Sequence, residues 1–204
     1  MRDNINKIID SLNENFIIIS PTDTVFGLLA NSYSIDAMKN LYKIKNRPVD
    51  KTFAIFIHPQ YINQYTDLNY RNQKLFEKFT PGPVTFVVQN INHNLSHIEL
   101  NGKIAIRIPQ NKYLLEILDK YKKPLIATSA NISGDKNPKT FDEINKMIIN
   151  NPLTIIENFH DILKYKMSQI ASSIFDISED RINTIREGSV KIKEIYDFLK
   201  TFNL

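Results

Sequence analysis

The stretch Phe16-Ile17-Ile18-Ile19-Ser20-Pro21-Thr22-Asp23-Thr24-Val25-Phe26-Gly27-Leu28-Leu29-Ala30 decides the fold class. Phe16 to Ile19 is a continuous apolar run rich in β-branched residues, which reads as a buried strand. Val25 to Ala30 resumes an apolar, extended pattern around Gly27. Pro21-Thr22-Asp23-Thr24 lies between the two runs and carries residues that favour turns through local hydrogen bonds. A polar segment therefore interrupts two strands.

Working outward, residues 4–14 place Ile5, Ile8, Ile9 and Leu12 on one helical face, so the chain enters through a helix. Ser34 can cap a helix from Ile35 to Lys45, with Ala37, Met38, Leu41, Tyr42 and Ile44 on its apolar side. Phe53 to Ile57 reads as a strand, 72–79 as a short helix, and Val84 to Gln89 and Lys103 to Pro109 as strands around a polar loop, Asn90 to Gly102. Tyr113, Leu114, Ile117 and Leu118 mark a helix, Pro124 to Ala127 a strand, and Phe141 to Ile149 a further helix. The remainder predicts strands at 153–156, 170–177 and 182–186 and a helix from Val190 to Phe202. Interleaved helices and strands imply a layered α/β fold, and the hairpin-like spacing of several strands implies a mixed sheet.

With 204 residues and only scattered prolines and glycines, the chain shows no linker, and a single domain over 1–204 is expected. No repeat or low-complexity segment is evident. The longest apolar run falls far short of the ~20 residues a spanning helix needs. The first residues, Met1 to Asn6, lack a secretory core, so a cytoplasmic location is expected. Cysteine is absent, which excludes disulfides, thiolate metal sites and a Cys nucleophile. His58, His93, His97 and His160 lack carboxylate partners at helical spacing; His93 and His97 read as exposed loop residues, and no protein-held metal is expected. A formal charge of +4 and a pI near 9.1 favour anionic partners.

Three polar segments at the ends of apolar runs could serve such a partner: Pro21-Thr22-Asp23-Thr24, Lys45-Asn46-Arg47-Pro48 and Ser129-Ala130-Asn131. Lys45, Arg47, Lys51, Lys103, Arg107 and Arg186 fall at or beside element ends, where they could neutralise a polyphosphate. Lys45 and Arg47 would equally complement a helix C-terminal dipole. Arg107 sits inside Ile104-Ala105-Ile106-Arg107-Ile108-Pro109, so it needs either a buried ion pair or a ligand carboxylate. Ser129 and Asn131 follow a strand, at the kind of place where α/β proteins bind ligands, although an Asx turn accounts for them too. No Gly-x-Gly-x-x-Gly, no phosphate-binding Gly-x-x-x-x-Gly-Lys loop and no Ser/His/Asp arrangement is present. An enzyme with this inventory works by positioning and electrostatics rather than through a covalent nucleophile.

Seven segments, in order, resemble the YrdC/TsaC threonylcarbamoyl-adenylate synthases. They are Pro21 to Leu28, Ile44 to Pro48, Pro81-Gly82-Pro83-Val84-Thr85, Ile104 to Pro109, Thr128 to Gly134, Ser172 to Ile177 and Ile185-Arg186-Glu187-Gly188. The resemblance implies a YrdC-like fold, a twisted mixed β-sheet with flanking helices and a basic concave cleft. It implies synthesis of L-threonylcarbamoyl-AMP and pyrophosphate from L-threonine, bicarbonate or CO2, and ATP with Mg2+. The product would feed threonylcarbamoyladenosine formation beside the tRNA anticodon through a separate tRNA threonylcarbamoyl transferase, with tRNA or double-stranded RNA contact. Carried over by motif, Lys45 and Arg47 would be the catalytic basic pair. Thr24, Arg107, Ser129 and Ser172 would hold L-threonine. Arg47, Lys51, Lys103, Asn131, Thr140 and Arg186 would hold ATP. Arg47→Ala and Arg107→Ala are each expected to lower activity without unfolding the protein.

The chain departs from that pattern at Phe56, where many members carry His, with His58 two residues on, and at Phe26 in place of the commoner Tyr. The extra C-terminal domain of longer relatives is not expected. Two other readings remain: a noncatalytic tRNA- or rRNA-binding protein using the same basic cleft, and a related carbamoyl-transfer module for another acceptor.

Overall fold

A computed structural model describes residues 2–156 and 167–203. The opening stretch forms β1 (Ile17–Pro21) and β2 (Phe26–Asn31), an antiparallel pair in which Ile18 faces Leu29 and Pro21 faces Phe26. Every residue of both strands is buried, which is why Ile17-Ile18-Ile19 and Leu28-Leu29-Ala30 run apolar without alternating. The remaining strands are β3 (Ala54–Phe56), β4 (Val84–Gln89), β5 (Lys103–Arg107), β6 (Leu125–Ser129), β7 (Thr154–Ile156), β8 (Ser173–Asp176) and β9 (Asn183–Arg186). Among the described residues, all nine strands join one mixed sheet in the order β7-β1-β2-β6-β3-β5-β4-β8-β9, with parallel pairs β1–β7, β3–β5 and β4–β8.

The helices are α1 (Arg2–Asn13), α2 (Ile35–Lys45), α3 (Tyr70–Phe79), α4 (Lys112–Tyr121), α5 (Lys146–Ile149) and α6 (Ile192–Lys200). Side chains alternate across a strand, so each strand serves two faces. One face carries Ile55, Val84, Phe86, Val88, Ile104, Ile106, Ile126 and Phe175 into a core completed by α2, α3, α5 and α6. The other buries Ile18, Leu29, Phe56, Leu125 and Ala127 beneath α1 and α4. Those two helices cover only the β1, β2, β6 and β3 part of their face. Among the described residues, the part built from β5, β4 and β8, together with Ala54 of β3 and Ala127 of β6, faces a cleft, and that is what positions the site.

Local chemistry explains where element boundaries differ from the sequence reading. The helix expected over Phe141 to Ile149 is broken into a 3-10 turn (Phe141–Glu143) and α5, because Ile144 is extended and the Asn145 side chain accepts from the Met147 amide, starting a new helix. The strand expected at 170–177 begins only at Ser173, where its ladder with β4 starts opposite Val84. Short 3-10 turns at Pro59–Gln64 and His93–Leu95 were not anticipated. His97 is not an exposed loop residue: it is half-buried, with Nε2 2.8 Å from the Ser32 carbonyl oxygen. His160 lies outside the described residues. No helix among the described residues is long and apolar enough to cross a membrane.

A cationic cleft on the open face of the sheet

The open face forms a cleft of about 740 Å³, within the usual range of small-molecule sites. Its floor follows from strand register. Ala54 of β3 lies beside Ala105 of β5 and Ala127 of β6, and Val87 of β4 lies beside Ala105. A row of small side chains lets a ligand approach the sheet closely. Arg47, Lys51, Arg107 and Arg186 stand round this floor, against one lining carboxylate, Asp50, among the described residues.

At one end the β1–β2 turn is folded on its own hydroxyls. Thr22 Oγ1 accepts from the amides of Thr24 (3.0 Å) and Val25 (3.2 Å) and donates to the Val25 carbonyl at 2.7 Å. This turn meets Arg107, which is 5% exposed. Its Nη2 donates to Asp23 Oδ1 at 2.7 Å, Nη1 to Thr24 Oγ1 at 3.0 Å and Nε to the Gly82 carbonyl at 3.2 Å. Of the two partners open to Arg107 from sequence, the structure supplies the ion pair, and Asp23 is a site residue that motif reading passed over. Five guanidinium N–H groups less three bonds leaves two for a ligand. Burial pulls Arg107 below the usual guanidinium range, while Asp23 opposes that shift. The Phe56 ring lies under the guanidinium at 5.3 Å, so this position supplies an aromatic face. His58 instead caps the 3-10 turn at Pro59–Gln64, accepting from the Gln60 amide at 3.4 Å. The chain at Ser168 and Gln169 donates two amides to the Asp23 and Thr24 carbonyls, fixing the turn from outside.

The second polar segment divides at the end of α2. Asn46 adopts φ 48°, which reverses the chain. Arg47 then bonds the Lys51 and Thr52 carbonyls at 2.9 and 2.7 Å and stacks on Phe53 at 5.0 Å, facing the cleft. Lys45 points the other way and is 2% exposed. Its Nζ donates to the carbonyls of Ser129 (2.5 Å) and Asn131 (2.6 Å) and to Asn131 Oδ1 (3.3 Å), while its own carbonyl accepts from the Ser133 amide. Asn131 Oδ1 in turn accepts from Ser129 Oγ at 2.5 Å, and Asn131 Nδ2 donates to the Asp135 carbonyl. Only Ser129 of this trio lines the cleft. Lys45 and Asn131 form a bracket behind the wall rather than part of its surface.

Burial first, then the charge of Arg47, pull the Lys45 ammonium down from 10.5 to about 7. The three oxygen acceptors favour the charged form and offset part of that burial. Because the folded value lies below the unfolded one, the unfolded chain binds the extra proton, and stability rises with pH between about 7 and 10.5. The expected contribution is about 1.4 kcal/mol per pH unit in that window. Urea titrations of the wild type and Lys45→Met across these pH values would read it; identical pH slopes for both proteins would refute the assignment.

The third side of the cleft is β8–β9. Register slips between Ile174 and Phe175, so that Ile185 and Arg186 both line the cleft although they are neighbours in sequence. Arg186 donates Nε to the Ser172 carbonyl at 2.9 Å and Nη2 to Ser172 Oγ at 3.0 Å. The residue remains solvent-accessible, but partial burial of its guanidinium, then repulsion from Arg107 and Arg47, hold it below the usual range. Gly188 passes so close to the Ala171 carbonyl that a Cβ would sit 2.1 Å from it, and its amide donates to Ser173 Oγ.

Of the residues singled out from sequence, Thr24, Arg47, Lys51, Arg107, Ser129, Ser172 and Arg186 converge on the cleft. Lys103 and Thr140 do not line it. Lys103 lies at the opposite end of β5 from Arg107 and pairs with Glu179 (2.8 Å) and Asp176 (3.3 Å). Thr140 is exposed before the Phe141–Glu143 turn, and Asn137 reaches the cleft from that loop instead. Thr85, unassigned from sequence, also lines it.

The family model described as "Telomere recombination" (Sua5, YciO, YrdC) matches residues 10–188. A Methanocaldococcus jannaschii protein provisionally named threonylcarbamoyl-AMP synthase is 35% identical over 180 residues, covering 88% of this chain and 83% of its own. The threonylcarbamoyl-AMP synthase of Escherichia coli K12 is 34% identical over 151 residues, covering 70% and 78%. In fold, the chain is similar to Pyrococcus abyssi Sua5 solved with L-threonine, with TM-score 0.82, 23% identity, and coverage of 96% of this chain and 57% of that one. With most of its length matched by one family model and by a relative of this identity, the chain belongs to the Sua5/YciO/YrdC family.

Proposed function

We propose that the chain is an L-threonylcarbamoyladenylate synthase, a nucleotidyltransferase that makes threonylcarbamoyl-AMP and pyrophosphate from L-threonine, bicarbonate or CO2, and ATP. The observation that carries this reading is the pairing of hydroxyls with arginines on two sides of one cleft, Thr24 with Arg107 and Ser172 with Arg186, beside a third arginine, Arg47. Such a site suits two anions brought together. The names of the relatives support the same activity.

In the first step the neutral threonine amine adds to the carbon of CO2 and releases one proton to water, forming a carbamate whose nitrogen keeps its other hydrogen. In the second a carbamate oxygen attacks the α-phosphorus of ATP, and the bond to the bridging oxygen of the β-phosphate breaks as pyrophosphate leaves. Arg107 and Thr24 hold the threonine carboxylate end, with Ser129 and Ser172 as hydroxyl partners. Arg47, Lys51 and Arg186 neutralise the triphosphate, where charge spreads over non-bridging oxygens. Holding the carbamate and the α-phosphate within reach supplies much of the acceleration. Mg2+ is read as arriving on the triphosphate: among the described residues no three acidic or His side chains converge, and Asp50 alone lines the cleft as a carboxylate. Lys45 and Asn131 act by fixing Ser129.

The product is read as passing, in the cytoplasm, to a separate transferase acting on tRNA. A purely RNA-binding role is less suited to this cleft, because Phe53 and Phe56 lie under arginines instead of standing free to stack on bases. The test is pyrophosphate release by the purified protein with ATP and Mg2+. Release is expected only when threonine and bicarbonate are both present, with a threonylcarbamoyl adenylate detected by mass. ATP turnover indifferent to threonine would overturn the proposal.

A further inference from the structure

Thr85 lines the cleft from β4, is 1% exposed, and places its Oγ1 3.1 Å from Ser172 Oγ. Arg186 Nη2 already donates to that same Ser172 oxygen at 3.0 Å, and a guanidinium can only donate. Two hydroxyl protons therefore remain for one shared contact. If Ser172 donates to Thr85, the Thr85 proton is left over; if Thr85 donates to Ser172, the Ser172 proton is left over. An unmade bond at a buried hydroxyl is costly, so the spare proton calls for an acceptor, and the cleft is where one can enter.

The opposite side of the cleft spends its hydroxyl protons differently. Thr24 Oγ1 accepts from Arg107 and lies 3.1 Å from Thr22 Oγ1, whose own proton is committed to the Val25 carbonyl. Thr24 is therefore the donor in that contact, and its proton is spent on Thr22. The spare proton is thus on the Ser172 side, where Arg186 polarises the hydroxyl pair and a ligand oxygen carrying negative charge suits it.

We propose that Thr85 is a positioning residue for the amino-acid substrate: it donates to Ser172, so that Ser172 accepts from both Arg186 and Thr85 and turns its own proton to an oxygen of the bound L-threonine. This rests on the reading of the cleft as a threonine site. Thr85→Val keeps the shape and removes the hydroxyl. It is expected to raise the KM for threonine about tenfold, the scale of one lost hydrogen bond to a polarised partner. The kcat and the KM for ATP should stay within about twofold, and Thr85→Ser should restore the threonine KM.

A double-mutant cycle supplies the second readout. Ser172→Ala and Thr85→Val/Ser172→Ala are expected to show the same threonine KM, since Thr85 acts through Ser172. If Thr85→Val does not fold, Thr85→Ala must show the same split between the two KM values. An unchanged threonine KM, a parallel rise in both KM values, or additive effects in the cycle would overturn the proposal. A wild-type protein without threonine-dependent turnover overturns it together with the proposed function; a turning-over wild type with a normal Thr85→Val overturns it alone.

Discussion

Arg107→Ala is expected to lose about 3–5 kcal/mol of stability together with its threonine-dependent turnover, because a buried Asp23 would be left without its counter-charge. The motif reading predicts loss of activity with the fold intact. The ion pair at 2.7 Å, between side chains only 6% and 10% exposed, changes that expectation. The two effects can be separated. In Arg107→Met/Asp23→Leu both charges leave together, and apolar replacements for a buried pair are commonly neutral or better for stability. The double variant should recover most of the lost stability in urea titrations and none of the turnover. Arg107→Lys is expected to fold and remain poorly active, since an ammonium cannot serve Gly82, Thr24 and Asp23 in one plane and still face a carboxylate. An Arg107→Ala protein as stable as the wild type would show that the Asp23 pair does not hold the turn.

Lys45→Met carries the second large effect, and it acts from behind the site. Three Nζ bonds fix the Ser129 and Asn131 carbonyls and the Asn131 side chain, and Asn131 Oδ1 fixes the Ser129 hydroxyl. Without the ammonium, the exit of β6 loses its anchor to α2 and Ser129 drifts from its place on the cleft wall. Displacing a positioning group by about 1 Å can cost about a hundredfold in rate, and a loss of that order in kcat/KM is expected. Near-normal ATP binding by Lys45→Met, read by calorimetry, should accompany it, because the cleft cations Arg47, Lys51 and Arg186 are untouched. ATP binding abolished in a folded Lys45→Met protein would mean that Lys45 touches the nucleotide after all.

Much of this architecture was legible in sequence for a physical reason. Apolar runs such as Ile17 to Ile19 and the alternation of Ile104 and Ile106 with Ala105 and Arg107 report burial directly, and burial follows the strands. The helix over Ile35 to Lys45 was equally clear, because its cap and its apolar stripe agree; Ser34 accepts from the Ala37 amide as a cap should. The segment 141–149 was not, since the choice of Asn145 to start a fresh helix is a local hydrogen bond that competes with a pattern of apolar spacing. Within the site, a motif marks which residues gather but not which way they point. Lys45 and Arg47 are two residues apart, yet the left-handed Asn46 between them sends one behind the wall and the other onto it. Asp23 and Thr85 stayed hidden because each matters through a partner distant in sequence, Arg107 and Ser172 respectively. The neighbouring Ile185 and Arg186 could both reach the cleft only through the register slip opposite Ile174, and nothing in the local sequence announces such a slip.

The uneven cover of the sheet separates two kinds of inheritance along the same strand. On β5, changes at Ile104 and Ile106 alter how well the protein folds, whereas a change at Ala105 between them alters what fits above the sheet. Ala54 stands in the same position on β3, whereas Ala127 also packs beneath α1 and α4. Odd and even positions of such a strand can therefore drift almost independently, and a new shape of ligand could be accommodated by enlarging Ala54 or Ala105 without renegotiating the core beneath them.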